Sequence, residues 1–191
     1  MITNDSKVYK IVTTSMMMCI IMVSILLLRV PIPFTQGYVN LSDGMVFMAV
    51  IILGWRYGAV AAGLGSMLGD LLAGFAIWAP WSLGIKAGMA IIFGLIIQSV
   101  IARTHLSRGG FLSVEIMGMV IAGLFMTGGY YFAEGIMYGN WLVAAWGIPW
   151  NIGQFAAGAA LAVALNSALG KTSLRSLMAY AAPTIPAQGH L

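Results

Sequence analysis

The chain has 191 residues, of which 61% are hydrophobic and 7% are charged, and its mean hydropathy is +0.96. Soluble domains carry about 25% charged residues, so this composition excludes a water-soluble globule. It also excludes a disordered chain, which needs low hydrophobicity and a high net charge. Unbroken apolar runs such as residues 20–28 and 87–97 differ from the alternating pattern of an outer-membrane β-barrel. The sequence therefore predicts an all-α integral membrane protein.

Six membrane-spanning helices are predicted, because each span needs about 20 mostly apolar residues. In chain order they cover residues 8–28, 42–53, 58–75, 81–102, 112–133 and 146–169. They form a single membrane domain over residues 1–170, followed by a tail of residues 171–191 that is expected to be exposed. The second helix is short for a full span. Since Pro31 and Pro33 cannot continue a regular helix, we expect that helix 2 starts in a partly unwound or re-entrant segment.

The basic residues predict that both termini are cytoplasmic. An excess of lysine and arginine marks the cytoplasmic loops of membrane proteins. In a six-span arrangement only Arg29 falls on the outer side, and Lys86 lies within the fourth helix. The remaining seven fall on the inner side: Lys7, Lys10, Arg56, Arg103, Arg108, Lys171 and Arg175. Because the net charge of +4 is scattered over helix ends, it indicates orientation in the cell membrane and not nucleic-acid binding.

Polar residues within the predicted helices gather in the outer half of the bundle. Ionisable groups inside a bilayer are costly and are functional hypotheses by default. A rise of about 1.5 Å per residue gives their depths. The outer group consists of Asp43, Asp70, Lys86, Glu134, Asn151 and Gln154, and the inner half has almost nothing comparable. A channel would carry polar groups across the whole membrane. This pattern instead predicts a cup that opens outward above an apolar floor.

The members of this cup are predicted to have two roles. An opposite charge lowers the cost of burying a lysine, so we expect a structural ion pair between Lys86 and Asp70 or Asp43. The predicted substrate-binding set combines a carboxylate and amides with loop polar groups and aromatic faces: Gln36, Asn40, Trp78, Trp81, Tyr131, Glu134, Trp141, Trp146, Asn151 and Gln154. The tryptophans also fit an interfacial aromatic belt, and Glu134 also fits a solvated loop carboxylate.

Recognised motifs for catalysis, metal binding and nucleotide binding are absent from the sequence. Neither His105 nor His190 lies near a carboxylate at metal-ligand spacing. The zinc-protease, nucleophile-elbow and phosphate-loop patterns do not occur, so we expect no cofactor, and the chain cannot energise transport by itself. We therefore expect a binding module and not an enzyme. An intramembrane enzyme using Asp43 and Asp70 is the alternative from another class, and a small channel is the third.

Residues 37–86 resemble the S components of energy-coupling factor (ECF) vitamin transporters. The resemblance rests on Gly37-Tyr-Val-Asn-Leu-Ser-Asp43, Leu53-Gly54, Gly58-Ala59, Gly63-Leu-Gly65-Ser66, Asp70-Leu-Leu, Ala79-Pro80 and Ile85-Lys86. It extends more weakly over residues 8–170 and is nearest to the riboflavin, hydroxymethylpyrimidine and pyridoxine carriers. It implies a six-helix vitamin-binding subunit that works in the bilayer with a transmembrane T component and two ABC-type ATPases. It also implies import by toppling of the S component.

The resemblance further implies roles for particular residues. A small-xxx-small motif on helix 1 docks on the T component in this family, and the matching positions are Ser15 and Cys19 in place of the usual alanines. The family binds its ligand in the region of the polar cup, and Asp70 and Lys86 match structural positions. The carboxylate and amides of the cup favour pyridoxine or hydroxymethylpyrimidine. Riboflavin, which is larger, and the anionic pantothenate are the alternatives.

Overall fold

The computed structural model describes residues 7–33, 37–103 and 107–180, and this part of the chain is almost entirely helical. By length and composition, five helical segments in these ranges can cross a membrane, with α5 and α6 counted together. The helices are α1 (Lys7–Leu27), α2 (Ser42–Leu72), α3 (Ala79–Ile101), α4 (Arg108–Tyr138), α5 (Trp141–Ala145) and α6 (Gly147–Leu169). Two short strands, β1 (Arg29–Pro31) and β2 (Tyr38–Asn40), join α1 to α2, and a 3₁₀ turn (Ser173–Leu177) follows α6.

Helix α2 is broken at Gly54, whose φ of 78° and ψ of 169° are not helical. Such a φ strongly favours glycine. Beyond the break the chain folds back, because a Cβ atom placed on Gly58 would lie 2.8 Å from Cα of Val50. Eight residues of straight helix would instead separate these positions by about 12 Å. Residues 42–53 and 55–72 therefore pack side by side, and the two ends of α2 carry Asp43 and Asp70 to the same end of the bundle.

The predicted boundaries differ from the observed ones at several helices. The predicted segments 42–53 and 58–75 correspond to the two halves of α2. Helix α4 extends about one turn beyond the predicted segment 112–133 at each end. The short helix α5 was not predicted. Its start is capped by Asn140, whose side chain accepts hydrogen bonds from the backbone N–H groups of Leu142 and Val143 at 3.0 and 3.2 Å.

The segment before α2 is a β-hairpin, which corrects the expected unwound or re-entrant helix. Strands β1 and β2 are antiparallel, with Val30 opposite Val39 and Pro31 opposite Tyr38. Pro31 has no N–H and is tolerated in this position because edge strands leave some N–H positions unpaired. The ring of Tyr38 packs on that of Phe75 beyond the end of α2, with centroids 4.5 Å apart. The hairpin thus covers the end of the bundle that the sequence analysis assigns to the outer side, called the outer end below.

Helices α1 and α2 approach closely where α2 supplies glycines. A Cβ atom on Gly65 would lie 2.9 Å from the carbonyl oxygen of Met18, and one on Gly69 would lie 2.7 Å from the side chain of Ile25. Small residues at four-residue spacing permit such contact between membrane helices. The order of these contacts shows that α1 and the second half of α2 run in the same direction. The start of α1 and the turn at Gly54 therefore lie at the same end of the bundle, which the sequence analysis assigns to the inner side and which is called the inner end below.

The inner half of the bundle contains one buried polar pair that the sequence prediction missed. Glu115 on α4 is buried and accepts a hydrogen bond of 2.8 Å from the amide of Asn166 on α6. The two residues lie near the inner ends of their helices, because α4 begins at Arg108 and α6 ends at Leu169. The expectation of an almost wholly apolar inner half was wrong.

The first part of the tail docks on the inner end instead of extending into solvent. The N–H of Ala179 donates to the carbonyl of Ile52 at 3.1 Å, and the N–H of Tyr180 donates to that of Ile51 at 3.0 Å. The break at Gly54 interrupts the helical hydrogen bonds that these carbonyls would otherwise accept. Burial raises the pKa of the Tyr180 phenol, and a hydrogen bond with the Trp55 backbone opposes that rise.

Candidate functional site

A small cavity lies beneath the hairpin at the outer end of the bundle. Its volume is about 30 Å³, which is roughly the volume that one molecule occupies in liquid water. Strand β2 and helices α2, α3, α4 and α6 all contribute to its wall. The lining residues are Ile32, Gly37, Tyr38, Asn40, Asp70, Trp78, Ser82, Tyr130, Glu134, Asn151 and Gln154. The wall therefore combines two carboxyl groups, three amide side chains and three aromatic rings.

A chain of hydrogen bonds connects four elements beside this cavity. Lys86 of α3 forms an ion pair with Asp43 of α2, and both side chains are almost fully buried. The other oxygen of Asp43, Oδ2, accepts from Nε2 of Gln154 at 2.9 Å, and Oε1 of Gln154 accepts from the backbone N–H of Asn40 at 2.8 Å. The ammonium group of Lys86 is thus held by Asp43, and Gln154 ties strand β2 to helix α6.

The close crossing of α2 and α6 brings Gln154 within reach of Asp43. One turn after Gln154, a Cβ atom on Gly158 would lie 2.6 Å from Cβ of Asp43. Any side chain at this position would separate the helices, and the amide would then lose its carboxylate partner. The small residue on α6 therefore determines whether the network can form.

Asp70 lies in the cavity wall and not in the ion pair with Lys86. Its Oδ1 atom accepts a hydrogen bond from the hydroxyl of Tyr38 in the hairpin. Burial, and then the negative charge of Asp70, raise the pKa of Tyr38 above its usual range, so the phenol keeps its proton and donates. Among the described residues, the buried Oδ2 atom of Asp70 has no hydrogen-bond partner. Asp70 therefore presents a free acceptor beside the cavity.

Glu134 presents a second free acceptor. Its side chain is 1% exposed, and its Oε2 atom finds no hydrogen-bond partner within the described ranges. It lies inside α4, which does not fit the alternative of a solvated loop carboxylate. Gly147 leaves room for the carboxylate, because a Cβ atom there would lie 2.7 Å from Oε2. One turn further along α6, Asn151 adds an amide to the same wall.

The aromatic part of the wall consists of Trp78, Tyr130 and Tyr38. The rings of Trp78 and Tyr130 have centroids 6.1 Å apart. The hydroxyl of Tyr130 shares a hydrogen bond of 2.9 Å with that of Ser82. Sequence reasoning missed Tyr38, Ser82 and Tyr130. A signal for Tyr130 was present, because it precedes Glu134 by four residues and so shares its helical face.

Four aromatic residues of the predicted binding set lie outside the wall. Trp81 packs against the hydrophobic core, and Tyr131 contacts Trp141 with ring centroids 5.6 Å apart. Trp141 and Trp146 are 47% and 56% exposed, as expected of an interfacial belt. One residue along a helix turns the side chain by about 100°, which separates Tyr131 from the face of Tyr130. Gln36 lies outside the described residues.

Within the described ranges, no group of three or more His, Cys, Asp or Glu side chains is arranged to hold a metal ion. Asp70 and Glu134 are instead placed to accept hydrogen bonds from an N–H or O–H group of a bound molecule. His105 and His190 lie outside the described residues.

Comparison with known proteins identifies the family. Residues 5–171 match the family model of the ECF-type riboflavin transporter, S component. The chain belongs to this family. This result confirms the resemblance found in the sequence. The S component described here is a multi-pass membrane protein that serves transport, so the alternative of an intramembrane enzyme was wrong.

Individual relatives of the S component agree with this assignment. It is 30% identical over 145 residues to the thiamine precursor transporter HmpT of Lactococcus lactis subsp. cremoris, covering 75% of this chain and 77% of that protein. It is 32% identical over 117 residues to an uncharacterised protein of Pyrococcus woesei, covering 61% and 72%. A solved S component of a bacterial ECF transporter has the same fold, with a TM-score of 0.65, 19% identity and coverage of 86% and 96%.

Proposed function

We propose that this S component is the high-affinity substrate-binding subunit of an ATP-driven ECF importer for a small heterocyclic vitamin or precursor. Hydroxymethylpyrimidine is the first choice of substrate, and pyridoxine is the alternative within the same chemistry. The relative named as a thiamine precursor transporter supports this choice. One observation carries this proposal. Asp70 and Glu134 each place a buried carboxylate oxygen beside the same cavity, and neither oxygen has a hydrogen-bond partner among the described residues.

The chemistry of the wall matches a neutral or weakly basic ring with several donors. A hydroxymethylpyrimidine offers an amino group and a hydroxyl that can donate to the two free carboxylate oxygens. Its flat ring can pack on the faces of Trp78 and Tyr130. Ring nitrogens can accept hydrogen bonds from the amide of Asn151. These groups together account for Asp70, Glu134, Asn151, Trp78 and Tyr130 in the wall.

The same wall disfavours the other two vitamins. Pantothenate carries a carboxylate that would face Asp70 and Glu134, and Lys86 is already paired with Asp43. A carboxylate buried without a cationic partner is costly. Riboflavin has three fused rings and a long polyol, which require a larger expansion of the 30 Å³ cavity than a single ring does.

We further propose six membrane crossings with both termini in the cytoplasm. The reversal at Gly54 makes two antiparallel segments of α2, which adds a sixth crossing to the five apolar helices. The first turn of α1, the turn at Gly54 and the end of α3 line one cavity and therefore share one end of the bundle. Lys10, Arg56 and Arg103 lie at that end, which the positive-inside rule assigns to the cytoplasm.

The proposed partners are a T component and two ABC-type ATPases. Helix α1 has only four buried residues, so most of its surface faces outward. Ser15 and Cys19 both lie on that exposed surface, four residues apart. Small side chains there let a partner helix approach closely. This surface is the proposed contact with the T component, which would couple the S component to ATP hydrolysis.

Calorimetric titration of the purified protein with hydroxymethylpyrimidine, pyridoxine, riboflavin and pantothenate tests the substrate. We expect tight binding of hydroxymethylpyrimidine, and Glu134→Gln should weaken it by about ten- to a hundredfold, the usual effect of losing a hydrogen bond to a charged group. Glu115→Gln is the matched control, because it changes another buried carboxylate far from the cavity. Tight pantothenate binding without binding of either small heterocycle would overturn the substrate assignment. Co-purification with a T component and ATPases tests the partners separately.

A further inference from the structure

The two free acceptors of the outer cavity belong to carboxyl groups that no described lining residue pairs with a positive charge. Asp70 and Glu134 are 4% and 1% exposed, and each has an oxygen without a hydrogen-bond partner among the described residues. Both line the same cavity of about 30 Å³. A carboxylate in such a place is costly unless a cation or a proton balances its charge.

The basic residues of the chain are placed away from these two carboxyl groups. Of the nine lysines and arginines, two lie at the outer end. Lys86 forms its ion pair with Asp43. Arg29 is exposed and does not line the cavity, and its guanidinium donates to the carbonyl of Ala73 at 3.2 Å. The other seven lie near the inner ends of the helices: Lys7, Lys10, Arg56, Arg103, Arg108, Lys171 and Arg175.

The undescribed residues supply no cation to the outer cavity either. Residues 34–36, which connect the two strands beside it, are phenylalanine, threonine and glutamine. The ranges 1–6, 104–106 and 181–191 join the described chain at the inner end. The 23 residues of α3 place that end about 34 Å away, across the membrane-spanning bundle. The balancing charge therefore comes from the ligand or from a proton.

The other titratable lining residues among those described are two phenols. Tyr38 on β2 donates to Asp70, and burial, followed by the charge of that carboxylate, raises the pKa of the phenol, so it keeps its proton. The hydroxyl of Tyr130 on α4 is hydrogen-bonded to Ser82 on α3. Helix α6 contributes only neutral amides to the wall. The two carboxyl groups thus face neutral partners and the space that a ligand would fill.

We propose that the outer cavity binds its heterocyclic ligand as a cation, protonated on one ring nitrogen, with Asp70 and Glu134 as the counter-charges. This inference rests on the proposed function and defines the charge of the substrate at that site. Ring nitrogens of aminopyrimidines and pyridines are weakly basic and take up a proton without any change in the covalent ring. A ring N–H beside an amino group presents two parallel donors, which suit a carboxylate as a guanidinium does.

The rest of the wall is compatible with a cationic ring. Aromatic faces attract cations, so the rings of Trp78 and Tyr130 favour the protonated form. The ammonium of Lys86 lies 5.5 Å from the centroid of the Tyr130 ring, but Asp43 neutralises its charge. A pyrimidine has a second ring nitrogen, which remains an acceptor for the amide of Asn151.

Nitrogen-15 NMR of the purified full-length protein with hydroxymethylpyrimidine labelled at both ring nitrogens tests the charge directly. Protonation moves the resonance of a ring nitrogen far upfield, whether the proton comes from solvent or from a carboxyl group. At a pH where the free compound is neutral, the bound compound should show one protonated nitrogen. The protonated form should bind about ten- to a thousandfold more tightly than the neutral form, as expected beside an opposite charge. Two unprotonated nitrogens in the bound ring would overturn the proposal.

Variants identify the groups that hold the charge. Asp70→Asn with Glu134→Gln should bind the ring more weakly and in its neutral form at the same pH. Glu115→Gln is the matched control, because this buried carboxylate does not line the cavity, and it should leave the protonated signal unchanged. A protonated ring in the double variant would also contradict the proposal. If the double variant does not fold, Glu134→Gln alone should reduce the preference for the protonated form at least tenfold.

Failure of the proposed function would give a different result. If neither hydroxymethylpyrimidine nor pyridoxine binds in calorimetry at any pH, the substrate assignment is wrong and the charge assignment falls with it. If hydroxymethylpyrimidine binds tightly with a neutral ring, the substrate assignment stands and only the charge assignment is wrong.

Discussion

At the scale of single residues, the pairing of the buried charges shows what depth along a helix predicts and what it does not. The sequence places Asp43, Asp70 and Lys86 at similar depth, and the structure brings all three to the outer end. Lys86 pairs with Asp43, and Asp70 instead accepts from Tyr38. Depth follows from counting residues, but the choice between two carboxylates depends on how each helix is rotated about its axis. That rotation is set by packing, which one sequence does not reveal.

Removing one member of the Asp43–Lys86 pair should destabilise the protein strongly. Lys86→Met or Asp43→Asn would leave a single buried charge, at a cost of about 3–5 kcal/mol. Combining the two substitutions should recover part of the loss, because no uncompensated charge remains. Thermal unfolding of the purified variants in detergent measures both effects.

Asp70→Asn provides the control for this pair, because Asp70 bonds to Tyr38 and not to Lys86. Adding Lys86→Met to Asp70→Asn should give no recovery. If Lys86→Met folds with unchanged stability and yet loses substrate binding, Lys86 contacts the substrate instead of supporting the fold.

At the scale of elements, the hydrophobic pattern was sufficient for the long helices and insufficient for the segments that join them. Gly54 interrupts an apolar run, and the sequence correctly separates residues 42–53 from the helix that follows. The strands Arg29–Pro31 and Tyr38–Asn40 are only three residues each, too short for an alternating pattern to distinguish them from an irregular loop. Helix α5 is equally short. Such elements depend on tertiary contacts and caps more than on local preference.

Gly58 should be essential to the hairpin of α2. An added Cβ atom would lie 2.8 Å from the backbone of Val50, so Gly58→Ala should cost about 1–3 kcal/mol by forcing the two halves apart. Gly84→Ala is the control, because a Cβ atom on Gly84 in α3 would meet nothing within 4 Å. That variant should be neutral or slightly more stable, since alanine favours helix. Equal melting temperatures for the two variants would mean that the close contact at Gly58 does not hold the hairpin.

The docked tail should stabilise the turn at Gly54. A chain that ends at residue 177 loses both backbone hydrogen bonds to Ile51 and Ile52. Each lost bond should lower the free energy of unfolding by about 1 kcal/mol. A chain that ends at residue 180 keeps them. The difference in unfolding temperature between these two truncations isolates the contribution of residues 178–180. No difference between them would show that water satisfies the two carbonyls equally well.

At the scale of the whole molecule, the sequence predicted a polar cup at one end, and the structure places Asn40, Glu134, Asn151 and Gln154 around one cavity there. The tryptophans were harder to assign, because an aromatic belt and a binding wall have the same composition. Only Trp78 among the predicted tryptophans lines the cavity. The inner half was wrongly expected to be almost apolar, although Glu115 and Asn166 both lie within predicted helices. Their pairing could not be predicted, because residues 51 positions apart give no local sign that they meet.

The exposed surface of α1 gives a prediction for the assembled transporter. Ser15→Trp and Cys19→Trp should abolish uptake, because a large side chain would hold the partner helix away. Substrate binding to the isolated subunit should persist, since both positions are far from the outer cavity. Leu124→Trp, at an exposed position on α4, is the control and should leave uptake intact. Normal uptake in both α1 variants would remove Ser15 and Cys19 from the proposed interface.

The small volume of the outer cavity has a kinetic consequence. A pyrimidine ring does not fit into about 30 Å³, so the hairpin must first release its bonds from Tyr38 to Asp70 and from Asn40 to Gln154. Association should then proceed in two steps, and its observed rate should level off at high ligand concentration, at the opening rate of the hairpin. Stopped-flow tryptophan fluorescence would follow this step, with a Trp78→Phe variant to identify the part of the signal that comes from the cavity, and Tyr38→Phe should raise the plateau. A rate that rises linearly over the whole range would show that the hairpin does not limit access. If the plateau rate is low, the residence time of the substrate depends on the hairpin as much as on the groups that bind the substrate.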